Sequence, residues 1–142
     1  MNLFRRQVFV FLPSIAWLSA AETPPSPPPV VVPAEVHEIA PSDVDRYLVD
    51  HTDTVIIDVR TEDERRTRGH ILNSLHHDYF HTERTHEALS KLDKTKPCIL
   101  YCAIGGRAKL IAIEMHKLGF KNILLLQGGF NAWLAAGQAV AK

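Results

Sequence analysis

Four residues with chemical potential fall within six positions: Cys102, Gly105, Gly106 and Arg107. An apolar run, Ile99-Leu100-Tyr101, delivers the thiol to a short turn, and a helical pattern follows at once. A thiol held where a strand stops and a helix starts lies against unpaired backbone N–H groups and the positive end of the helix dipole. That environment favours a thiolate, the form that attacks as a nucleophile. An ordinary thiol, with a pKa near about 8.5, is only about 3% ionised at pH 7. One unit of depression raises that to roughly a quarter. A helix terminus contributes up to about 2 kcal/mol in a favourable site, so the loop can activate Cys102 without a histidine base. Gly105 and Gly106 allow a tight backbone that aims its amides inward. Arg107 adds a permanent cation whose planar fork suits an oxyanion. Ala103 and Ile104 complete the loop and carry no charge.

The flanking elements alternate. Val36 and Ile39 mark a short strand, and Pro41 to Leu48 a helix with Val44, Tyr47 and Leu48 on one face. Thr54 to Val59 is a continuous, β-branched apolar run, the pattern of a central strand in a parallel sheet. Arg60 to Arg68 is a polar connection with a short helix, and Ser74 to His76 a short strand. Thr82 to Leu92 is a helix that Thr82 is expected to cap, with Ala88, Leu89 and Leu92 facing inward. Pro97 ends that helical stretch. Cys98 to Tyr101 form a second central strand. Arg107 to Leu118 form a helix whose apolar face is Ala108, Ile111, Ala112, Met115 and Leu118, closed by Gly119. Asn122 to Leu126 form a further strand, Gln127-Gly128-Gly129 a turn, and Phe130 to Ala136 a last helix. This order predicts one α/β domain with a mostly parallel central sheet flanked by helices.

The chain has 142 residues and a formal net charge of zero, which gives no electrostatic case for a nucleic-acid partner. Its start differs in kind. Arg5-Arg6 precede an apolar stretch from Val8 to Leu18, broken by Pro13-Ser14, and Ser19-Ala20-Ala21 follow. The apolar part is shorter than the roughly 17 residues that a spanning helix needs. Residues 1–21 are therefore expected to be a cleaved export signal, which puts the mature protein in the periplasm or outside the cell with no membrane span. Its removal takes away two cations and no acid, so the formal charge falls from zero to −2. Residues 22–35 form a proline-rich extended linker, and residues 36–141 the folded domain. Cys98 and Cys102 are the two cysteines. Four positions apart on one extended run, their Cα atoms lie about 13 Å apart, too far to be bridged. Cys98 reads as a small buried hydrophobe and Cys102 as a free thiol.

Four segments, in order, resemble the single-domain rhodaneses. They are Ile57-Asp58-Val59-Arg60, Gly69-His70-Ile71, Cys102 to Arg107, and Gln127-Gly128-Gly129-Phe130-Asn131-Ala132-Trp133. The cysteine loop matches the family's six-residue active loop, with Cys, Gly and Arg at its first, fourth and sixth places. The chain departs from the pattern by one extra residue between Asp58 and Gly69. Leu72-Asn73 stands where the family often has Pro-Gly, and Ala103-Ile104 where many thiosulfate-using members have charged or hydroxyl residues.

The resemblance implies a sulfurtransferase. Cys102 would take the outer sulfur of a donor such as thiosulfate as a persulfide, then pass it to cyanide, a small thiol or a protein thiol. Substrate contacts would come from Ala103, Ile104, Gly105, Gly106 and Arg107. Neither a cofactor nor a metal is implied. Asp58 and Arg60 resemble the family's structural polar pair. Asp58 is expected to hold nearby backbone and Arg60 to pair with Glu64, and Arg60 is also a candidate substrate contact. His70 and Trp133 read as structural. His76, His77, His81 and His86 match no zinc spacing and read as a solvated surface. Two other functions compete. A phosphatase of related fold places five residues between its Cys and Arg, against four here, which disfavours a phosphoryl group. A non-catalytic sulfur carrier or partner-binding module would suit the apolar Ala103 and Ile104.

Overall fold

A computed structural model describes residues 28–142. The expected export signal and the start of the linker lie outside the described residues. From residue 28 to Pro33 the chain has no regular structure, and the domain begins at β1, Val36–Ile39. A 3₁₀ turn, Pro41–Asp43, leads into α1, Val44–Asp50. Then follow β2 (Val55–Asp58), α2 (Glu62–Arg68), β3 (Leu75–His76), α3 (Thr82–Ser90), β4 (Cys98–Tyr101), α4 (Gly106–Lys117), β5 (Ile123–Leu126) and α5 (Gly129–Ala135).

The strand order is β1-β5-β4-β2-β3, and every pairing is parallel. β4 therefore lies at the centre, in register with β2 from Val55–Cys98 to Asp58–Tyr101. All four of its residues are fully buried, as the unbroken apolar run requires of a strand covered on both faces. Alternation along β4 splits the core in two. Cys98, Leu100 and the following Cys102 face a cluster with Leu89 of α3 and Ala108, Ile111, Ala112 and Met115 of α4. Ile99 and Tyr101 face the other cluster, with Val44 of α1 and Phe130 and Trp133 of α5. α1, α3, α4 and α5 pack apolar residues into these two clusters, whereas α2 buries none of its residues.

Two local expectations are corrected. The cap position of α3 is His81, and Thr82 lies inside the helix without a capping hydrogen bond. The buried polar residue of that helix is Thr85, whose hydroxyl donates to the Asp78 carbonyl at 2.8 Å. Gly106 opens α4 as its first residue, and the left-handed turn belongs to Gly105 alone, at φ 107°. Asn73, standing where the resembled family often carries glycine, adopts φ 60°, a conformation that asparagine tolerates better than most residues.

Candidate active site

In parallel α/β sheets, ligands bind beyond the carboxyl ends of the strands. Cys102 is the first residue past the carboxyl end of β4, and the turn from Cys102 to Gly105 connects it to α4. The backbone N–H of Gly105 points back and donates to the Cys102 Sγ at 3.1 Å. The αL conformation of Gly105 produces this reversal. A second element fixes the loop from outside. Phe130 N–H donates to the Cys102 carbonyl at 2.8 Å, and Asn131 N–H to the Ala103 carbonyl at 3.0 Å. This contact is possible only because residue 129 is glycine. At φ 62°, a Cβ on Gly129 would sit 2.5 Å from the Cys102 carbonyl oxygen and 2.8 Å from the Ala103 carbonyl.

Arg107, in the first turn of α4, sends both terminal nitrogens to Glu64, at 2.7 Å and 2.8 Å. Glu64 is already fixed by a capping box at the start of α2. Its carboxylate accepts from the Thr61 N–H at 2.9 Å, and its own N–H donates to the Thr61 hydroxyl. The bidentate guanidinium, followed by the Thr61 hydrogen bonds, pulls the Glu64 carboxyl down to a pKa of about 2 against the opposing effect of burial. Arg107 is raised in turn, first by Glu64, with smaller contributions from proximity to Cys102. The cation expected to receive an oxyanion thus has its fork engaged by a carboxylate.

Arg60 is placed differently from expectation. It is fully buried and pairs with Asp58, two residues earlier, rather than with Glu64. Its Nη2 donates to Asp58 Oδ2 at 2.7 Å and to the Gly69 carbonyl at 2.7 Å, and its guanidinium lies 3.8 Å from the centre of the Phe130 ring. Asp58 also accepts from the Arg60 N–H, as expected of a backbone tie, and from Tyr101 Oη at 2.8 Å and Arg65 Nη1 at 3.2 Å. Burial and then the Asp58 charge push the Tyr101 hydroxyl up to about 12, so it remains a proton donor. Arg60 has no exposed surface, and its guanidinium is given to Asp58, the Gly69 carbonyl and the Phe130 ring.

Around the loop mouth, Ala103 is half-buried, while Ile104 and Phe80 are 73% and 68% exposed. Arg107 lies 5.9 Å from the Phe80 ring centre. Cys98 is unbridged, and burial lifts its thiol to about 12. Trp133 is core, its indole N–H donating to the Ala139 carbonyl at 2.9 Å. The role of His70 is carried by its backbone, which exchanges two hydrogen bonds with Ala141. His76, His77 and His81 line a cleft of about 410 Å³ with Glu62, Asp78 and Arg84, and no residue of the cysteine loop borders it. Among the described residues, no group of three or more His, Cys, Asp or Glu side chains could hold a metal ion. No helix among the described residues is long and apolar enough to cross a membrane.

Sequence reasoning missed Glu64 as the partner of Arg107, Gly129 as the loop's backstop and Arg65 in the Asp58 network. The Thr61-x-x-Glu64 spacing was a usable signal for the α2 cap, not for the meeting of Glu64 with Arg107. All three depend on tertiary approach.

Comparison with known proteins places this geometry among relatives. The family described as "Rhodanese-like domain" matches residues 40–136. Thiosulfate sulfurtransferase GlpE of Coxiella burnetii is 38% identical over 88 residues, covering 62% of this chain and 78% of that protein. Dual specificity phosphatase Cdc25 of Arabidopsis thaliana is 35% identical over 98 residues, covering 61% of this chain and 66% of that protein. Among solved structures, the polysulfide-sulfur transferase homodimer of Wolinella succinogenes aligns with a TM-score of 0.61 at 30% identity, over 75% of this chain and 79% of that one. The likeness to the two transferases supports sulfurtransferase activity.

Proposed function

Because this chain belongs to the rhodanese-like domain family, we propose that it transfers a sulfane sulfur through a persulfide on Cys102. In the first half-reaction the Cys102 thiolate attacks the outer sulfur of a donor such as thiosulfate. A new S–S bond forms at Sγ, the donor's S–S bond breaks, and sulfite leaves with the electron pair. In the second half-reaction cyanide or a thiol attacks the outer sulfur of the persulfide and Cys102 departs as thiolate. This is a double displacement that needs no cofactor.

The observation that carries the reading is the aim of Gly105 N–H at the Cys102 sulfur, 3.1 Å away, at the start of a twelve-residue helix. The donor and the helix terminus together suit an anionic sulfur at that point, both as the attacking thiolate and as the persulfide. The substrate contacts in this proposal come from the remaining loop residues, Ala103, Ile104, Gly105, Gly106 and Arg107. Arg60, buried between Asp58 and the Phe130 ring, is given a structural role. The start of the sequence favours export, so the mature domain would work outside the cytoplasm after loss of residues 1–21.

A phosphatase reading is suggested by the Arabidopsis relative. The four-residue gap between Cys102 and Arg107 argues against it, since a phosphatase of related fold places five residues there to cradle a phosphoryl group. A thiosulfate:cyanide assay on protein lacking residues 1–21, with an aryl phosphate as the parallel substrate, tests both. The proposal expects thiocyanate and no phosphate release. Phosphate release dependent on Cys102, without thiocyanate, would replace it.

A further inference from the structure

The arginines just past β2, on α2 and at the start of α4 are Arg60, Arg65, Arg66, Arg68 and Arg107. All but Arg68 face a carboxylate: Arg60 and Arg65 meet Asp58, Arg66 meets Asp63, and Arg107 meets Glu64. Arg68, the last residue of α2, makes no ion pair among the described residues. Its partner is neutral. Nη1 donates to Asn131 Oδ1 at 2.8 Å, and the guanidinium carbon lies 6.0 Å from the Phe130 ring centre. Phe130 and Asn131 are the two residues whose backbone N–H groups hold the carbonyls of Cys102 and Ala103. α2 thus reaches α4, which the loop enters, through Glu64, and α5, which holds the loop from outside, through Arg68. An exposed guanidinium is tethered beside the cysteine loop, with N–H groups beyond the one given to Asn131. An amide tether fixes such a fork without cancelling its charge, as a carboxylate would.

Resting on the sulfurtransferase reading, we infer that Arg68 is a substrate-binding residue that docks the oxyanion end of the sulfur substrate while its reacting sulfur lies at Cys102. No bond changes at Arg68. It contributes attraction and orientation, so its effect falls on the binding of anions and is screened by salt. A neutral reagent of the same size gains nothing from it.

The test compares alkylation of Cys102 by iodoacetate and by iodoacetamide, followed by peptide mapping. The reagents differ by a carboxylate against a neutral amide, so their rate ratio reads the pull on an anion whether or not the protein moves sulfur. Arg68→Gln is expected to lower the iodoacetate rate about fivefold and to leave the iodoacetamide rate at that of wild type. Arg68→Lys restores the charge without the fork and should recover most of the loss. Asn131→Ala, which releases the tether but keeps the charge, should fall between Arg68→Gln and wild type. In a thiosulfate:cyanide assay, Arg68→Gln should raise the KM for thiosulfate about tenfold with kcat little changed. That difference should fade as salt rises from about 20 mM to about 500 mM. Equal losses with both alkylating reagents would show a structural tie between α2 and α5 and would overturn the assignment. An Arg68→Gln ratio equal to that of wild type would overturn it too. A shifted ratio in a protein whose wild type takes up no sulfur would leave an anion site at Arg68 and remove the sulfur substrate, so the sulfurtransferase reading would fall and this assignment with it.

Discussion

The N–H of Phe130 donates to the carbonyl of Cys102 at 2.8 Å, so the helix after the last strand holds the backbone of the candidate nucleophile. The approach leaves no room for a side chain at Gly129, whose added Cβ would lie 2.5 Å from that same carbonyl oxygen. Gly129→Ala is therefore expected to cost about 2–3 kcal/mol, from the left-handed backbone and the clash together. Urea denaturation gives the stability. The rate of Cys102 alkylation in the remaining native protein gives the loop, and it should fall in parallel. Alkylation unchanged at wild-type stability would show that the loop does not depend on this contact.

Asp58 is the hub under the loop, accepting from Arg60, Arg65 and Tyr101. Asp58→Asn leaves the fully buried Arg60 without its counter-charge. Removing one partner of a buried pair costs about 3–5 kcal/mol. Thermal and urea denaturation should both show a loss in that range, and Tyr101→Phe a smaller one of about 1 kcal/mol.

The alternation of strands with helices, the parallel sheet and most helix faces could be read from the sequence because they depend on short-range periodicity, whereas the strand order could not. The continuous run at Cys98–Tyr101 requires burial on both faces, and the spacing of Ala108, Ile111, Ala112 and Met115 marks one side of α4. The thiol's place at the helix start followed from the same patterns. What could not be read was which charge meets which. Glu64 and Arg107 lie 43 positions apart, and their meeting depends on how α2 and α4 sit over the ends of β2 and β4. Arg60 has acidic neighbours on both sides in sequence, Asp58 and Glu64. Its choice of Asp58 follows from the inward face of the strand end, where leaving a carboxylate unpaired would be the costlier arrangement.

The Glu64–Arg107 pair gives the stability a defined acid dependence. Arg107 holds the Glu64 carboxyl at about 2, below its ordinary value near 4.5. A depressed carboxyl contributes stability that is fully present above the ordinary value and is lost as pH falls towards the folded one. The stability difference between wild type and Glu64→Gln, about 1 kcal/mol for a bidentate pair near the surface, should be constant above pH 5.5 or so. It should shrink between about pH 4.5 and pH 2. Urea titrations across that range check it, and a difference independent of pH would rule the pair out as its source.

The two thiols should separate cleanly. Burial lifts Cys98 to about 12. Both cysteines are buried, at 0% and 1% exposure, so the raised Cys98 thiol and the Gly105 N–H at the Cys102 sulfur separate them rather than exposure. Iodoacetamide should therefore add one group to the native chain up to about pH 9, at Cys102, and two to the unfolded chain. Peptide mapping identifies the modified residue. Cys98→Ala should retain sulfur uptake at Cys102.

The central claim is that sulfur passes through Cys102. It is tested most directly by intact-protein mass spectrometry of protein lacking residues 1–21, before and after a sulfane donor, for wild type and Cys102→Ser. One added sulfur on wild type, removed by cyanide as thiocyanate, and none on Cys102→Ser is the predicted result. Equal sulfur uptake by the two proteins, or none by either with persulfide and thiosulfate donors alike, would contradict it.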